Sequence, residues 1–245
     1  NSLVVSAAVT MNGGTGNGDD RTISVGAGTL TCASITIENT GHDGADSEIT
    51  ISTGTVTVSG NITMNGSVTR NAIRISGAGK LNIGGNISTS DGTLDPGSAN
   101  STVTYNGSGA QTARAATYEN LTLSGSGVKT FDTTPTVNGV LSLEGTATVT
   151  VTTGVVTYGA SATLQYNTTT ARTSSSEEWI SPFAASGGVS IKNTGAITLD
   201  ANKTFTSCPL TVGEGATLAN GGFTIASPSA LNLVCGLMLP GLAIT

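Results

Sequence analysis

The stretch GTVTVSGNIT at residues 54–63 returns as GKLNIGGNIS at residues 79–88. In both copies apolar residues alternate with polar ones, as in a strand with one buried face, and glycine bounds the run. A repeat of roughly 20 to 50 residues built from short strands is typical of a solenoid, in which one coil recurs along an axis. We therefore predict an all-β fold: a parallel β-helix of about ten coils that forms a single elongated domain.

Short strands with turn residues between them cover the first part of the chain. We predict strands at 3–11, 22–25, 29–37, 47–51, 55–58, 61–64, 71–75, 80–83 and 86–89, each rich in β-branched residues and bounded by Gly, Asn or Asp. No stretch of ten residues has a convincing helical period of apolar residues. A tandem pair of β-sandwiches is the alternative, because sandwiches also consist of short strands with frequent turns.

A second repeat, in the later part of the chain, locates an insertion. TYN at 104–106 recurs as QYN at 165–167, and LTL at 121–123 recurs as VSI at 189–191. The second pair of motifs lies further apart than the first pair, so the later copy carries extra residues between 167 and 189. We expect SSSEEWISPF at 174–183 to form a loop that projects from one face, as insertions in solenoids do.

Charged residues are scarce, at 10% of the chain against about 25% in an average soluble domain. Stacked coils place equivalent side chains about 4.8 Å apart, where like charges repel and Asn, Thr and Ser can hydrogen-bond along the stack. The net charge is −6 and the nine basic residues are scattered. A nucleic-acid binder needs a clustered basic surface, so we expect no nucleic-acid partner.

Both ends of the chain are apolar. Residues 1–20 read as an N-terminal strand and loop, residues 21–228 as the solenoid, and residues 229–245 as an apolar C-terminal segment. A solenoid end exposes strand edges and open core, so we expect the terminal segments to be caps or assembly strands. The last segment is shorter than the roughly 20 residues of a membrane helix, and we expect no membrane insertion. The candidate assembly contacts are Leu3, Val5, Val9, Leu231, Leu233, Leu237 and Leu239.

The chain begins at Asn1 and shows no basic segment followed by an apolar one. This is typical of a mature secreted chain that has lost its signal peptide, and a chain trimmed there for expression is the alternative. We expect an extracellular or cell-surface location. In a secreted chain Asn-x-Ser/Thr motifs are glycan acceptors; they occur at Asn61, Asn65, Asn86, Asn100, Asn106, Asn120, Asn167 and Asn202. Of three cysteines, Cys208 and Cys235 could pair, or all three are small buried residues.

Calcium is the only cofactor that the sequence suggests. Residues 13–20 resemble the glycine-rich nonapeptide of calcium-binding β-rolls, and residues 43–48 form an oxygen-rich turn. The candidate ligands are Asp19, Asp20, Asp43 and Asp46.

Two patterns suggest other ligands. Trp179, the only tryptophan, stands beside two glutamates, and an aromatic ring with carboxylates on a projecting loop can stack on a sugar. The alternative is a loop held to the solenoid by its own aromatic residues. Thr-x-Thr runs such as residues 148–152 would form a flat hydroxyl array of the kind that binds ice, if their threonines aligned across several coils.

Residues that could carry catalysis are few. The only histidine, His42, lies in a glycine-rich turn. Glycan-cleaving β-helices need clustered carboxylates or a basic residue in a cleft. Asp132 and Asp200 are repeat-equivalent, but the preference of aspartate for turns explains both. We therefore predict that the protein is not an enzyme.

Residues 101–112 (STVTYNGSGAQT), followed by 118–123 (YENLTL), resemble a recurrent element of large bacterial secreted surface proteins. Residues 162–204 and 210–218 look like further copies, so the resemblance to adhesin-like, autotransporter-like and filamentous-haemagglutinin-like β-solenoid repeats covers 101–227 clearly and 28–90 loosely. The resemblance implies an extracellular, non-enzymatic scaffold or adhesive stalk and carries over no catalytic residue.

Our leading prediction for function is a structural protein: a cell-surface adhesin or a filament subunit that self-associates end to end. A glycan- or ice-binding solenoid module is the alternative. A polysaccharide-cleaving enzyme is less favoured.

Overall fold

The computed structural model describes residues 1–13, 19–38, 45–66, 70–226, 228–233 and 237–238. In this part of the chain there are strands and turns and no helix, and therefore no helix long and apolar enough to cross a membrane. The parallel strands stack as a β-solenoid of about nine turns, which confirms the predicted fold.

The strands of the first half are β1 (Ser2–Met11), β2 (Arg21–Val25), β3 (Thr29–Glu38), β4 (Ser47–Ile51), β5 (Thr55–Val58), β6 (Ile62–Asn65), β7 (Asn71–Ile75), β8 (Lys80–Ile83), β9 (Thr93–Asp95), β10 (Thr102–Tyr105), β11 (Gln111–Ala113), β12 (Thr117–Tyr118), β13 (Asn120–Leu123) and β14 (Val128–Phe131). Those of the second half are β15 (Thr136–Val137), β16 (Val140–Glu144), β17 (Thr148–Val151), β18 (Thr157–Tyr158), β19 (Thr163–Asn167), β20 (Arg172–Thr173), β21 (Gly188–Lys192), β22 (Ala196–Thr198), β23 (Lys203–Thr204), β24 (Leu210–Val212), β25 (Thr217–Ala219), β26 (Ile225–Ala226), β27 (Leu231–Leu233) and β28 (Leu237–Met238). The predicted strand at 86–89 is reduced to an isolated bridge between Ile62 and Ile87.

One sheet runs the full length of the solenoid, and we call it the main sheet. Its strands follow the order β1-β3-β5-β8-β10-β13-β16-β19-β21-β24-β27, with β6 also paired to β3. The other walls are shorter: β2-β4-β7-β9 belongs to the first coils, β11-β14-β17 and β12-β15-β18 to the middle, and β20-β22-β25-β28 and β23-β26 to the last coils. The main sheet therefore sets a common register for side chains from end to end.

Coil length varies along the axis. The coil that runs from residue 3 to its partner, residue 30, is much longer than the coil from residue 103 to its partner, residue 121. The coil from residue 164 to residue 189 is also longer than that short middle coil. This difference accounts for the insertion that the second repeat predicts.

The core consists of two inward-facing columns of the main sheet and the side chains opposite them. Between the two ends of the stack, members of these columns are at most 4% exposed: Leu30, Val56, Leu81, Val103, Leu121, Leu141, Leu164, Val189 and Leu210 in one, and Cys32, Val58, Ile83, Tyr105, Leu123, Leu143, Tyr166, Ile191 and Val212 in the other. Full burial of one such aliphatic side chain contributes about 1.5–3 kcal/mol. Apolar alternation along each strand therefore becomes a continuous core along the stack.

Glycine and asparagine hold the corners between coils. A Cβ at Gly54 would meet the carbonyl oxygens of Gly26 and Gly28 in the preceding coil, so only glycine allows this close approach. The Oδ1 atom of Asn61 accepts the N–H of Asn86 at 2.8 Å, one coil later. Asn86 Oδ1 in turn accepts the N–H of Thr112 at 2.8 Å. Corner backbone is thereby satisfied without charge, which explains much of the asparagine content.

Candidate functional site

The first rung of the main sheet presents core positions to solvent. Leu3 belongs to the same column as Leu30, yet it is 60% exposed. Val5 and Val9 are half-buried and pack against the core. A cavity of about 400 Å³ opens beside Leu3 and is lined also by Ile23, Val25 and residues 26–30. At the N-terminal end of the solenoid, side chains in core positions are thus exposed to solvent.

The opposite end carries the same columns. Leu231 pairs with Leu210 and is half-buried against the core, and Leu233 pairs with Val212 and is 48% exposed. Leu237 lies in β28 and pairs with Thr217. Leu239 is outside the described residues. The candidate assembly contacts that can be placed therefore cluster at the two ends of the stack.

The insertion does not project, contrary to our expectation. Trp179 and Phe183 have no exposed surface, and Trp179 packs on Tyr166 at 5.8 Å and on Phe205 at 6.1 Å between ring centroids. The longer coil encloses a larger cross-section, and these aromatic side chains fill it. A buried ring cannot stack on a sugar, so the interpretation of Trp179 as a glycan contact is corrected to that of a core anchor.

Carboxylate and ammonium groups inside this coil have local partners, whereas the buried Nε1 of Trp179 and Nε of Arg172 have none among the described residues. Glu178 is 1% exposed, and its Oε1 accepts the N–H of Ser175 at 2.8 Å and the hydroxyl of Tyr166 at 3.1 Å. Burial raises the pKa of Glu178, against the opposing effect of the bonds from Ser175. The Nζ of Lys203 donates to the carbonyl of Trp179 and to Asp200, each at 2.8 Å. Asp200, a carboxylate considered for catalysis, is thus engaged in holding the insertion.

The raised pKa of Glu178 predicts a stability that falls with rising pH. Above the ordinary value of 4.5 the unfolded chain loses this proton before the folded protein does, so this contribution is complete below 4.5 and is lost as pH rises through the folded pKa. Glu178→Gln cannot titrate and keeps the acceptor oxygen. Urea unfolding should be measured for both proteins at about pH 5 and about pH 8. The free energy of unfolding of the variant, relative to that of the wild type, should be higher at pH 8 than at pH 5. Exposed Glu214→Gln is the control, and parallel pH profiles for wild type and Glu178→Gln would contradict the prediction.

Lys129 is buried without a carboxylate partner among its hydrogen bonds. Its Nζ donates to the carbonyls of Gly107 at 2.9 Å, Gly109 at 3.1 Å and Ser126 at 2.9 Å, and to Oε1 of Gln111 at 2.6 Å. Burial lowers the pKa of Lys129. Four oxygens surround the ammonium group, so this lysine cross-links the turn at residues 107–111 to the turn at Ser126 by hydrogen bonds.

Two of the four candidate calcium ligands, Asp20 and Asp46, have protein partners in the described residues. Asp20 Oδ1 accepts the N–H of Asp46 at 2.9 Å, and Asp46 pairs with Arg70 at 3.2 Å. Asp19 is exposed, and Asp43 lies outside the described residues. Within the described ranges no three His, Cys, Asp or Glu side chains form a group able to hold a metal ion. Calcium binding by this region stays a prediction.

The two cysteines among the described residues, Cys32 and Cys208, give no further site. Cys32 and Cys208 are buried, and the thiol of Cys208 donates to the carbonyl of Phe183 at 3.1 Å. Cys235 and His42 lie outside the described residues, so the proposed pairing of Cys208 stays a prediction.

The glycan acceptors differ in how their side-chain amides are engaged. Asn120 uses both ends: Nδ2 donates to the carbonyl of Ser101 at 2.9 Å and Oδ1 accepts from Val140 at 3.0 Å. Asn167 donates to Glu144 at 3.2 Å. Asn202, like Asn61 and Asn86, accepts a backbone N–H of the next coil, and Asn65, Asn100 and Asn106 lie in or beside turns. Glycosylation of Asn120 would cost its bond to Ser101, so we expect it to be the least occupied site in a secreted chain.

The main sheet aligns a polar column that sequence reasoning did not locate. We call it the hydroxyl–amide column; it occupies ten successive rungs with Thr31, Thr57, Asn82, Thr104, Thr122, Ser142, Gln165, Ser190, Thr211 and Asn232. The Thr-x-Thr run at 148–152 aligns only in part, because Thr150 pairs with Thr130 but Thr148 pairs with Val128. The repeated motifs at 54–63 and 79–88 contain two members of the column, and that was the available signal.

Comparison of the chain with models of protein families, with curated proteins and with solved structures finds no match. The geometry of the solenoid, its two ends and its outer face must therefore carry any functional conclusion.

Proposed function

We propose that this protein is a non-enzymatic extracellular structural protein, a surface stalk or filament subunit that stacks end to end. The observation that carries the proposal is the exposure of core columns at both ends. Leu3 and Leu233 hold inward positions of the main sheet and are 60% and 48% exposed. Wall positions of the same columns are almost completely buried.

The two ends are complementary in register. Leu231 of one copy and Leu3 of the next continue a single column, and Leu233 meets Val5 in the adjacent one. β1 and β27 are the edge strands of the main sheet in the described residues, and edge strands accept a further strand by backbone hydrogen bonding. Contact between unlike ends produces an open filament rather than a closed ring when the rotation does not close.

The composition of the walls fits the same role. Corner amides and the hydroxyl–amide column supply polar surface with little charge, so copies can stack without like-charge repulsion between neighbouring rungs. The resemblance to secreted surface repeats supports an extracellular setting and an adhesive or stalk-like role. Both are proposals for this chain.

Charge placed at either end should abolish assembly. We expect the wild type to form filaments with rising concentration, seen by light scattering and negative-stain microscopy. Leu3→Asp and Leu233→Asp should remain monomeric, because a buried unpaired carboxylate at the contact is costly. Val128→Asp is the matched control, since Val128 is 39% exposed on a side wall.

Circular dichroism establishes that each variant keeps its β structure. A wild type that stays monomeric at all concentrations contradicts the proposal, as does a Val128→Asp variant that loses assembly equally.

A further inference from the structure

The outer face of the main sheet is regular in two directions. Along the axis, the hydroxyl–amide column repeats at the strand spacing of about 4.8 Å. Two residues away on each strand, about 6.6 Å across the face, a second column begins with Thr29, Thr55, Lys80, Thr102 and Asn120. Three rungs thus carry threonine in both columns, and the face is a lattice of short polar side chains.

The side chains of this face are held in place. Threonine is β-branched and restricted about its first side-chain torsion. Amides also bond along the column: Asn82 Nδ2 donates to Thr57 Oγ1 at 3.2 Å, and Gln165 Nε2 donates to Ser142 Oγ at 3.1 Å. Little side-chain entropy therefore remains to be lost when the face meets a rigid surface.

Charge is sparse in the first rungs of this face. All ten members of the hydroxyl–amide column are neutral, and Lys80 is the one charged residue among the five named members of the second column. Further along the stack, Glu144 and Lys192 end strands β16 and β21 on the same face. Glu144 Oε1 accepts the hydroxyl of Ser142 at 2.9 Å, and Ser142 is 5% exposed. Ion pairs such as Arg74 with Glu48 lie instead on the wall formed by β2, β4, β7 and β9. Over the rungs from Thr31 to Thr122, a neutral partner therefore meets Lys80 as the one charged side chain among the named members of the two columns.

We propose that this outer face binds ice, the ordered lattice of water at a crystal surface. Each threonine offers a hydroxyl that can occupy a lattice position and a methyl group that orders neighbouring water. Each contact is weak, but a periodic partner engages many rungs at once, which multiplies their effect.

An extended polysaccharide is the less suitable occupant of the face. Sugars are commonly held by aromatic rings that stack on their apolar faces, and the two columns named here contain no aromatic residue. The aromatic side chains of the insertion are buried, so they do not supply such a ring.

The test compares substitutions on two walls of one purified protein. The wild type should show thermal hysteresis and faceted ice crystals in an osmometer. Thr57→Lys with Thr104→Lys should reduce the hysteresis to that of buffer, because a long charged side chain holds the lattice away. Thr130→Lys with Thr150→Lys, on the wall formed by β11, β14 and β17, should leave it unchanged. Lys80→Thr, which makes the second column more uniform, should raise it.

Circular dichroism confirms that each variant is folded. Absence of hysteresis and of adsorption to ice in the wild type would overturn the proposal, and so would equal loss from both walls. Binding to crystalline cellulose or chitin without binding to ice would overturn it in favour of a polysaccharide. The monomeric end variants Leu3→Asp and Leu233→Asp should still bind ice, so failure of end-to-end assembly and failure of ice binding are separate results.

Discussion

Lys129→Met should lower the free energy of unfolding by about 2–5 kcal/mol, since several buried oxygens lose their donor at about 1–3 kcal/mol each. Lys129 has no exposed surface and donates to four oxygens. Methionine keeps much of the packing volume but donates nothing. Thermal unfolding followed by circular dichroism should show a fall in Tm on the order of 10 °C.

The effect should extend over three coils. Gln111, which accepts from Lys129, also donates to the carbonyl of Ile83 in the preceding coil at 3.0 Å and accepts the N–H of Gly107 at 2.7 Å. Hydrogen exchange should therefore accelerate from about Ile83 to Lys129 before it does so elsewhere. Lys80→Met is the control, because Lys80 is exposed and surface changes usually stay within about 0.5 kcal/mol. Equal losses from both variants would refute the role of Lys129.

Trp179→Ala should cost about 3–5 kcal/mol, the range for removing a large aromatic side chain from a core. The ring packs on Tyr166 and Phe205, and Lys203 Nζ lies 5.7 Å from its centroid. Its removal leaves a void that the coil cannot close, because Phe205 and Tyr166 belong to different coils. Urea unfolding measures the loss.

Val155→Ala is the matched control for Trp179→Ala, since Val155 lies 38% exposed in the preceding coil. A Trp179→Ala variant of wild-type stability that had lost binding on a glycan array would reverse the assignment of Trp179 to the core.

Much of the fold could be predicted because strand alternation and stacking both leave a periodic trace. The motif at 54–63 and its copy at 79–88 contain inward Val56 and Leu81, which are neighbours in the core. The intervals 104–165 and 121–189 each span three coils, so the difference between them located the long coil that ends at Val189.

The direction of the insertion was not predictable from its sequence. Trp179, Ile180 and Phe183 are compatible with a loop that packs on the outside of the solenoid or with one that fills its interior. The deciding quantity is the cross-section of the coil. That depends on how the extra residues are shared between corner and wall, and residue pattern does not report it.

The hydroxyl–amide column was hidden by unequal coil lengths. Thr104 and its partner Thr122 are closer together in the sequence than Thr31 and its partner Thr57. A constant period, such as the interval between the motifs at 54–63 and 79–88, therefore brings together the wrong partners in the middle of the chain.

Lys129 did leave a signal in the sequence. In the run VKTF at residues 128–131 it alternates in phase with Phe131, and both side chains are fully buried. The inward phase of this strand was the available signal for a core lysine, a position that its charge argues against.

Unequal coils also have a mechanical consequence. If the two ends of the molecule were pulled apart, its coils would unfold one after another, because each coil is bonded mainly to its immediate neighbours. Unfolding of one coil would lengthen the molecule by the contour length of that coil. This length is about 60 Å for the coil from Val103 to Leu121 and about 90 Å for the coil from Leu3 to Leu30. The molecule would therefore yield to force in graded steps, with the shortest near its middle.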